Sequence, residues 1–103
     1  IIGIEAGVRF GPLGNTHYAM DDIAVVRAIP NFTVLSPSDP LSTYKALYAC
    51  VEHEGPVYVR LTGGPGYPVM YPEDIDFQIG KAIEYRTGSD VAFISTGWST
   101  CTP

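Results

Sequence analysis

His17 is the residue of this 103-residue chain with the most chemical reach. It stands in Gly14-Asn15-Thr16-His17, behind glycines at 11 and 14 and a proline at 12, and a few residues ahead of an apolar stretch. An imidazole can carry or donate a proton at neutral pH, so His17 is a candidate proton carrier or hydrogen-bond donor to a substrate oxygen. Spacing alone favours a plainer role, capping the helix or bracing the loop. His53, between Glu52 and Glu54 at a helix end, reads as a solvated histidine favoured by the helix dipole. Asp21-Asp22 are neighbouring carboxylates, the raw material of acid–base work, but their place at a helix start reads as capping. Arg60 closes a strand, where the ligand-binding side chains of open α/β sheets gather. An anion contact and a buried salt bridge are equally compatible with that position.

The remaining chemistry is thin. Neither Cys50 nor Cys101 has a CxxC partner, and two widely separated histidines make no metal site, so no structural metal is expected. Cys50 lies among apolar positions and reads as a buried free thiol. No serine or cysteine adjoins a histidine in sequence, so no nucleophile–base pair is evident locally.

The elements that must position these residues follow from pattern. Ile1 to Ile4 reads as a buried strand and Gly7 to Asn15 as a loop. The G-x-x-x-G-x-x-G spacing of that loop is neither a dinucleotide fingerprint nor a phosphate loop. Asp21 to Ile29 reads as a helix with Asp21 as N-cap, apolar nearly all round and therefore packed deep inside a domain, and Pro30 ends it. Phe32 to Leu35 is a short strand, and Ser36-Pro37-Ser38-Asp39 is turn chemistry, with Asp39 or Ser38 capping the next helix. That helix spans about Leu41 to Glu52, with Leu41, Tyr44, Leu47, Tyr48 and Val51 as its core face. Gly55-Pro56 breaks the chain before the strand Val57 to Leu61. Two helix-then-strand units without hairpin signals predict an α/β fold, a parallel sheet with right-handed crossovers.

Beyond residue 62 the character changes. Residues 63 to 76 are rich in glycine and proline and read as a linker between a first domain, 1–62, and the start of a second, 77–103. The stretches 79–86 and 91–95 read as the first strands of that second α/β domain. The apolar runs Ile1 to Ile4 and Val91 to Ser95 at the two ends suggest a piece of a larger protein, since buried parallel strands need neighbours and covering helices.

A net charge of −5, with six scattered Lys and Arg, argues against nucleic acid. No apolar run approaches the ~20 residues that span a membrane, and no targeting segment is visible. The default expectation is a soluble, cytoplasmic protein.

Four blocks in order carry a resemblance: Gly14-Asn15-Thr16-His17, Asp22-Ile23-Ala24-Val25-Val26-Arg27-Ala28-Ile29-Pro30-Asn31, Val34 through Ser36-Pro37-Ser38-Asp39, and Gly55-Pro56-Val57-Tyr58-Val59-Arg60. Together they resemble the pyrimidine-binding domain of transketolases, most of all the stand-alone C-terminal subunit of split bacterial transketolases. 1-Deoxyxylulose-5-phosphate synthases and the beta subunits of 2-oxoacid dehydrogenases share much of the pattern. The resemblance implies a truncated three-layer, thiamine diphosphate-binding α/β fold and an enzyme moving a two-carbon ketol unit between sugars. It implies thiamine diphosphate and Mg²⁺ held mostly by residues outside this chain, on a diphosphate-binding domain or partner subunit. It raises His17 to a catalytic residue, with Leu13, Gly14, Thr16 and Arg60 facing substrate, a sugar or sugar phosphate. Two positions depart from the common transketolase pattern. Leu13 stands where an aspartate reads the donor's hydroxyl, and Thr62-Gly63 stand where a phosphate-binding arginine falls. The chain by itself is expected to be inactive, and the parent to be a homo- or hetero-oligomer. A module used only for subunit association is the non-enzymatic alternative, and a 2-oxoacid decarboxylating component or a 1-deoxyxylulose-5-phosphate synthase-like enzyme the enzymatic one.

Overall fold

A computed structural model describes residues 1–63, 66, 68–71 and 73–101. Strand β1 (Ile2–Gly3) is followed by a 3₁₀ segment (Gly11–His17) and helix α1 (Asp22–Arg27). Strand β2 (Thr33–Leu35), helix α2 (Pro40–Val51) and strand β3 (Val57–Arg60) come next, and a second 3₁₀ segment (Gly97–Cys101) closes the order. The three strands form one parallel sheet in the order β1-β3-β2, with Ile2 opposite Val59, Gly3 opposite Arg60 and Leu35 opposite Val59. The α/β expectation holds.

The sheet order reverses direction. The chain leaves β1, passes over the central place to β2, and returns to fill that place with β3. Right-handed crossovers in opposite senses put the two helices on opposite faces. Their contacts alternate along the strands accordingly: Asp22 at the head of α1 meets Tyr58 and Arg60, while His53 just past α2 meets Thr33, whose neighbour in the sheet is Val57. Tyr58 and Val59 are both buried, one toward each helix layer, as expected of a central parallel strand. Gly3 is required where it stands, because a Cβ there would come within 2.6 Å of the Tyr58 hydroxyl.

Helix α2 shows the clearest local logic. Asp39 sits in extended backbone at the N-cap, its carboxylate accepting from Ser42 N at 2.8 Å while Ser42 Oγ accepts from Asp39 N at 3.0 Å. This is a reciprocal capping box, with Pro40 in the first turn, where no N–H is missed. The face turned to the sheet, however, is not the expected one. Ala46 is fully buried and Ser42 nearly so, whereas Tyr44, Leu47, Tyr48 and Val51 are exposed, Tyr48 by 63%. Small residues four apart let the helix backbone lie close to the sheet, and the bulky stripe is turned outward. Tyr44 and Tyr48 pack on each other instead, ring centroids 4.6 Å apart.

Helix α1 is likewise shorter and shallower than its composition suggests. It ends at Arg27, has no buried residue, and leaves Val25 and Ile29 exposed. Asp21 occupies the N-cap position without a side-chain capping bond. The two further strands expected at 79–86 and 91–95 do not form, and the backbone there is irregular. A strand exists only through a hydrogen-bonded neighbour; these stretches find none among the described residues, and Phe93 stands 93% exposed. No described helix is long and apolar enough to cross a membrane.

Candidate functional site

The loop that carries His17 is an excursion closed at its base. Gly7 and Ala19 exchange backbone hydrogen bonds, Gly7 N to Ala19 O at 3.1 Å and Ala19 N to Gly7 O at 3.0 Å. The eleven residues between them leave the domain and return to the same point. Where the sequence predicts plain loop, the backbone is largely 3₁₀ turn, interrupted at Gly14, whose φ of 73° and ψ of −165° belong to a region only glycine enters readily. Past that bend the chain runs into Thr16 and His17.

His17 is exposed and held on two sides. Its Nδ1 lies 2.9 Å from Thr16 Oγ1, and its ring stacks on Phe10 with centroids 6.0 Å apart and planes 26° apart. Thr16 Oγ1 also lies 3.4 Å from the Leu13 carbonyl. Leu13, Gly14, Thr16 and His17 are therefore gathered on one loop, with Leu13 half-exposed beside the bend. A protruding, orientationally restrained imidazole can exchange a proton or a hydrogen bond with a molecule that covers this loop.

Arg60 is placed elsewhere. Its Nε donates to Asp22 Oδ2 at 2.7 Å, its Nη2 lies 3.4 Å from the Ala19 carbonyl, and Tyr58 Oη donates to the same Asp22 oxygen at 2.9 Å. The Arg60 and Asp22 side chains are only 13% and 14% exposed. Of the two readings of Arg60, the geometry is that of the buried ion pair. Burial works to raise the Asp22 pKa, but the hydrogen bonds from Arg60 and Tyr58 and the Arg60 charge outweigh it and hold the carboxyl below its ordinary range. Burial, reinforced by Asp22, pushes the Tyr58 hydroxyl up. The triad braces the foot of the His17 loop through Ala19. The signal for it was in the sequence: Tyr58 and Arg60 alternate on one strand face, and Asp22 opens the helix that covers that face.

The other feature at the carboxyl ends of the strands is a cavity of about 410 Å³ between β2, β3 and the start of α2. Its walls are mostly apolar, Pro37, Pro40, Tyr44, Leu47 and Leu61, with Asp39 as its charged group and no Lys or Arg. An anionic diphosphate would find no counter-charge there, so these residues do not fit the phosphate end of thiamine diphosphate. Asp39 is in any case engaged. Its Oδ2 accepts from Met70 N at 2.9 Å and Tyr71 N at 3.3 Å, binding the 68–71 segment to the head of α2. Gly97 N donates to Ser36 O at 3.1 Å, and Cys101 Sγ to Ser38 O at 3.3 Å, so the second 3₁₀ segment also lies on this edge. Burial, with Asp39 adding to it, raises the Cys101 thiol.

His53 is not simply solvated, since its Nε2 lies 3.0 Å from Thr33 Oγ1 and braces the end of α2 against the sheet. Cys50 and Cys101 are both free and half-buried. Among the described residues no group of three His, Cys, Asp or Glu side chains is placed to hold a metal ion.

Comparison with known proteins agrees with the fold described above. Residues 1–64 match the family described as the transketolase pyrimidine-binding domain. Over 98 residues the chain is 38% identical to an apulose-4-phosphate transketolase subunit of Phocaeicola vulgatus, covering 94% of this chain and 31% of that protein. It is 35% identical over 97 residues to a 6-deoxy-6-sulfo-D-fructose transketolase subunit of a Clostridium species, with 94% and 30% covered. The 1-deoxy-D-xylulose-5-phosphate synthase of Prochlorococcus marinus is 37% identical over 95 residues, with 90% and 15% covered. The chain thus spans less than a third of these relatives. With its family match over residues 1–64 and the parallel β1-β3-β2 sheet that carries it, the chain belongs to the transketolase family through the pyrimidine-binding domain.

Proposed function

We propose that this chain is part of a transketolase-type enzyme in which a two-carbon ketol unit passes from a donor ketose to an acceptor aldose. The chain contributes one wall of the active site. The observation that carries this reading is the restrained, outward-facing His17 on a loop inside the family match. His17 hydrogen-bonds a substrate hydroxyl or moves a proton as the carbon–carbon bond breaks, and Leu13, Gly14 and Thr16 shape the space beside it. Arg60 supports that loop from below and meets substrate only if its pair with Asp22 opens.

The remaining walls belong to other residues. The family implies thiamine diphosphate, and the mostly apolar, anionic cavity of this chain supplies no site for the diphosphate or its Mg²⁺. Two of the relatives are named as subunits, which supports a partner chain carrying that part. The family match ends at residue 64, which supports reading 63–76 as a linker and 77–103 as the start of a C-terminal domain. By itself the 103-residue chain is then inactive. Leu13, where the common pattern has an acidic residue, favours a donor recognised through other groups.

The test is His17→Asn in the full-length protein assembled with its partner. General acid–base groups contribute roughly 10²–10⁴-fold, so kcat falls on the order of 100-fold while the assembly survives on a sizing column. Unchanged turnover would favour a role in subunit association alone.

A further inference from the structure

The two contacts of Thr16 carry an inference about which nitrogen of His17 works, and it rests on the reading of His17 given above. A threonine hydroxyl has one proton to give and lone pairs to receive with. Its oxygen lies 3.4 Å from the Leu13 carbonyl, which can only accept, and 2.9 Å from His17 Nδ1, which donates or accepts according to tautomer. If the hydroxyl proton goes to Leu13, Nδ1 must carry the proton of the second bond, and both contacts are satisfied. If it goes to Nδ1, two acceptor oxygens are left facing each other across the turn. The bend at Gly14 and the stack on Phe10 keep the ring in this place.

We infer that Thr16 is a positioning residue that holds neutral His17 in the tautomer protonated at Nδ1, so that a bare Nε2 is presented outward. His17 has no other hydrogen-bond partner among the described residues. The consequence is chemical. A bare Nε2 accepts, so the substrate group it meets is a hydroxyl that donates rather than a carbonyl oxygen that needs a donor. This chooses the proton-accepting role for His17 over the donating one.

The experiment is ¹⁵N NMR of histidine-labelled, full-length protein assembled with its partner, in alkaline buffer where imidazoles are neutral, with His17→Gln assigning the resonances. The wild type should show Nδ1 in the protonated range and Nε2 in the unprotonated range. Thr16→Val should move the population toward the Nε2-protonated form, and Thr16→Ser should restore the wild-type pattern. A wild-type His17 protonated at Nε2, or a Thr16→Val spectrum unchanged from wild type, would overturn the inference. The wild-type spectrum decides even where Thr16→Val fails to fold. In turnover, Thr16→Val should lower kcat about 10-fold, the weight of roughly one hydrogen bond, with KM little moved, and Thr16→Ser should recover it. Turnover that survives His17→Asn while the spectra behave as stated would refute the functional reading and leave the tautomer assignment standing.

Discussion

At the scale of single residues, Asp22 decides more than its place in the sequence suggests. Its carboxylate is shared by Arg60 and Tyr58 on one strand face, and the trio underpins the loop of His17. Asp22 is lowered relative to an unfolded carboxyl, despite the opposing effect of burial. A carboxyl depressed in the native state adds stability that is fully present above the unfolded value, near ~3.9, and is lost as pH falls through the lower native one. Asp22→Asn should therefore cost about 2 kcal/mol at neutral pH, the weight of hydrogen bonds to a charged group. The gap between variant and wild type should narrow as pH drops below about 4. Urea titrations of both proteins across that range check it, and a constant gap would mean that the ionised form is not what Arg60 and Tyr58 recognise.

At the scale of elements, Asp39 joins two of them. One oxygen caps α2 through Ser42, and the other takes the backbone N–H groups of Met70 and Tyr71. Lys45 and Asp74 add a solvated ion pair between the same parts, worth little by itself. Asp39→Asn separates the two roles. The amide oxygen still caps the helix, but the NH₂ that replaces the other oxygen cannot accept from Met70 or Tyr71. Two backbone donors lose a partner, at about 1–3 kcal/mol each where buried. Amide exchange at Met70 and Tyr71 should accelerate by an order of magnitude or more while circular dichroism keeps the helix signal. Equal acceleration through α2 would show that the cap, not the tie, was lost. The orientation of α2 teaches a related point. Its three- and four-residue apolar spacing was visible and correctly predicted a helix, but the face that seats on the sheet is the small-residue one around Ser42 and Ala46. Periodicity tells which residues share a face. Which face is buried depends on how closely the neighbouring layer approaches.

At the scale of the whole molecule, the chain leaves much apolar surface uncovered: Ile1, Ile2 and Ile4 at the sheet edge, Tyr48 and Val51 on α2, and Phe93 and Ile94 beyond. Its buried apolar residues among those described are few: Ala6, Leu35, Ala46, Tyr58, Val59 and Met70. Apolar side chains left in water in this way are available for contact with other protein surface. The cavity has the wrong charge for a diphosphate. Calorimetric titration of the isolated chain with thiamine diphosphate and Mg²⁺ should thus give no measurable heat of binding, whereas micromolar affinity would require a cofactor site within these residues.

By itself the sequence determined what depends on neighbours along the chain. The α2 capping box follows from Asp39 and Ser42 three apart, the breaks from Pro30 and Gly55-Pro56, and parallel pairing from helices separating the strands. The family was legible too, because its four blocks are short runs of consecutive residues. Only tertiary structure decided what depends on partners distant in sequence. It turned Asp22 from a helix-start charge into the anchor of Tyr58 and Arg60, turned the tyrosines of α2 outward, and left 79–86 and 91–95 without strand neighbours among the described residues. His17 lies between these cases. Its loop could be read from glycines and its importance from resemblance, but its ring is oriented by Phe10 and Thr16, and contacts of that kind exist only once the chain has folded.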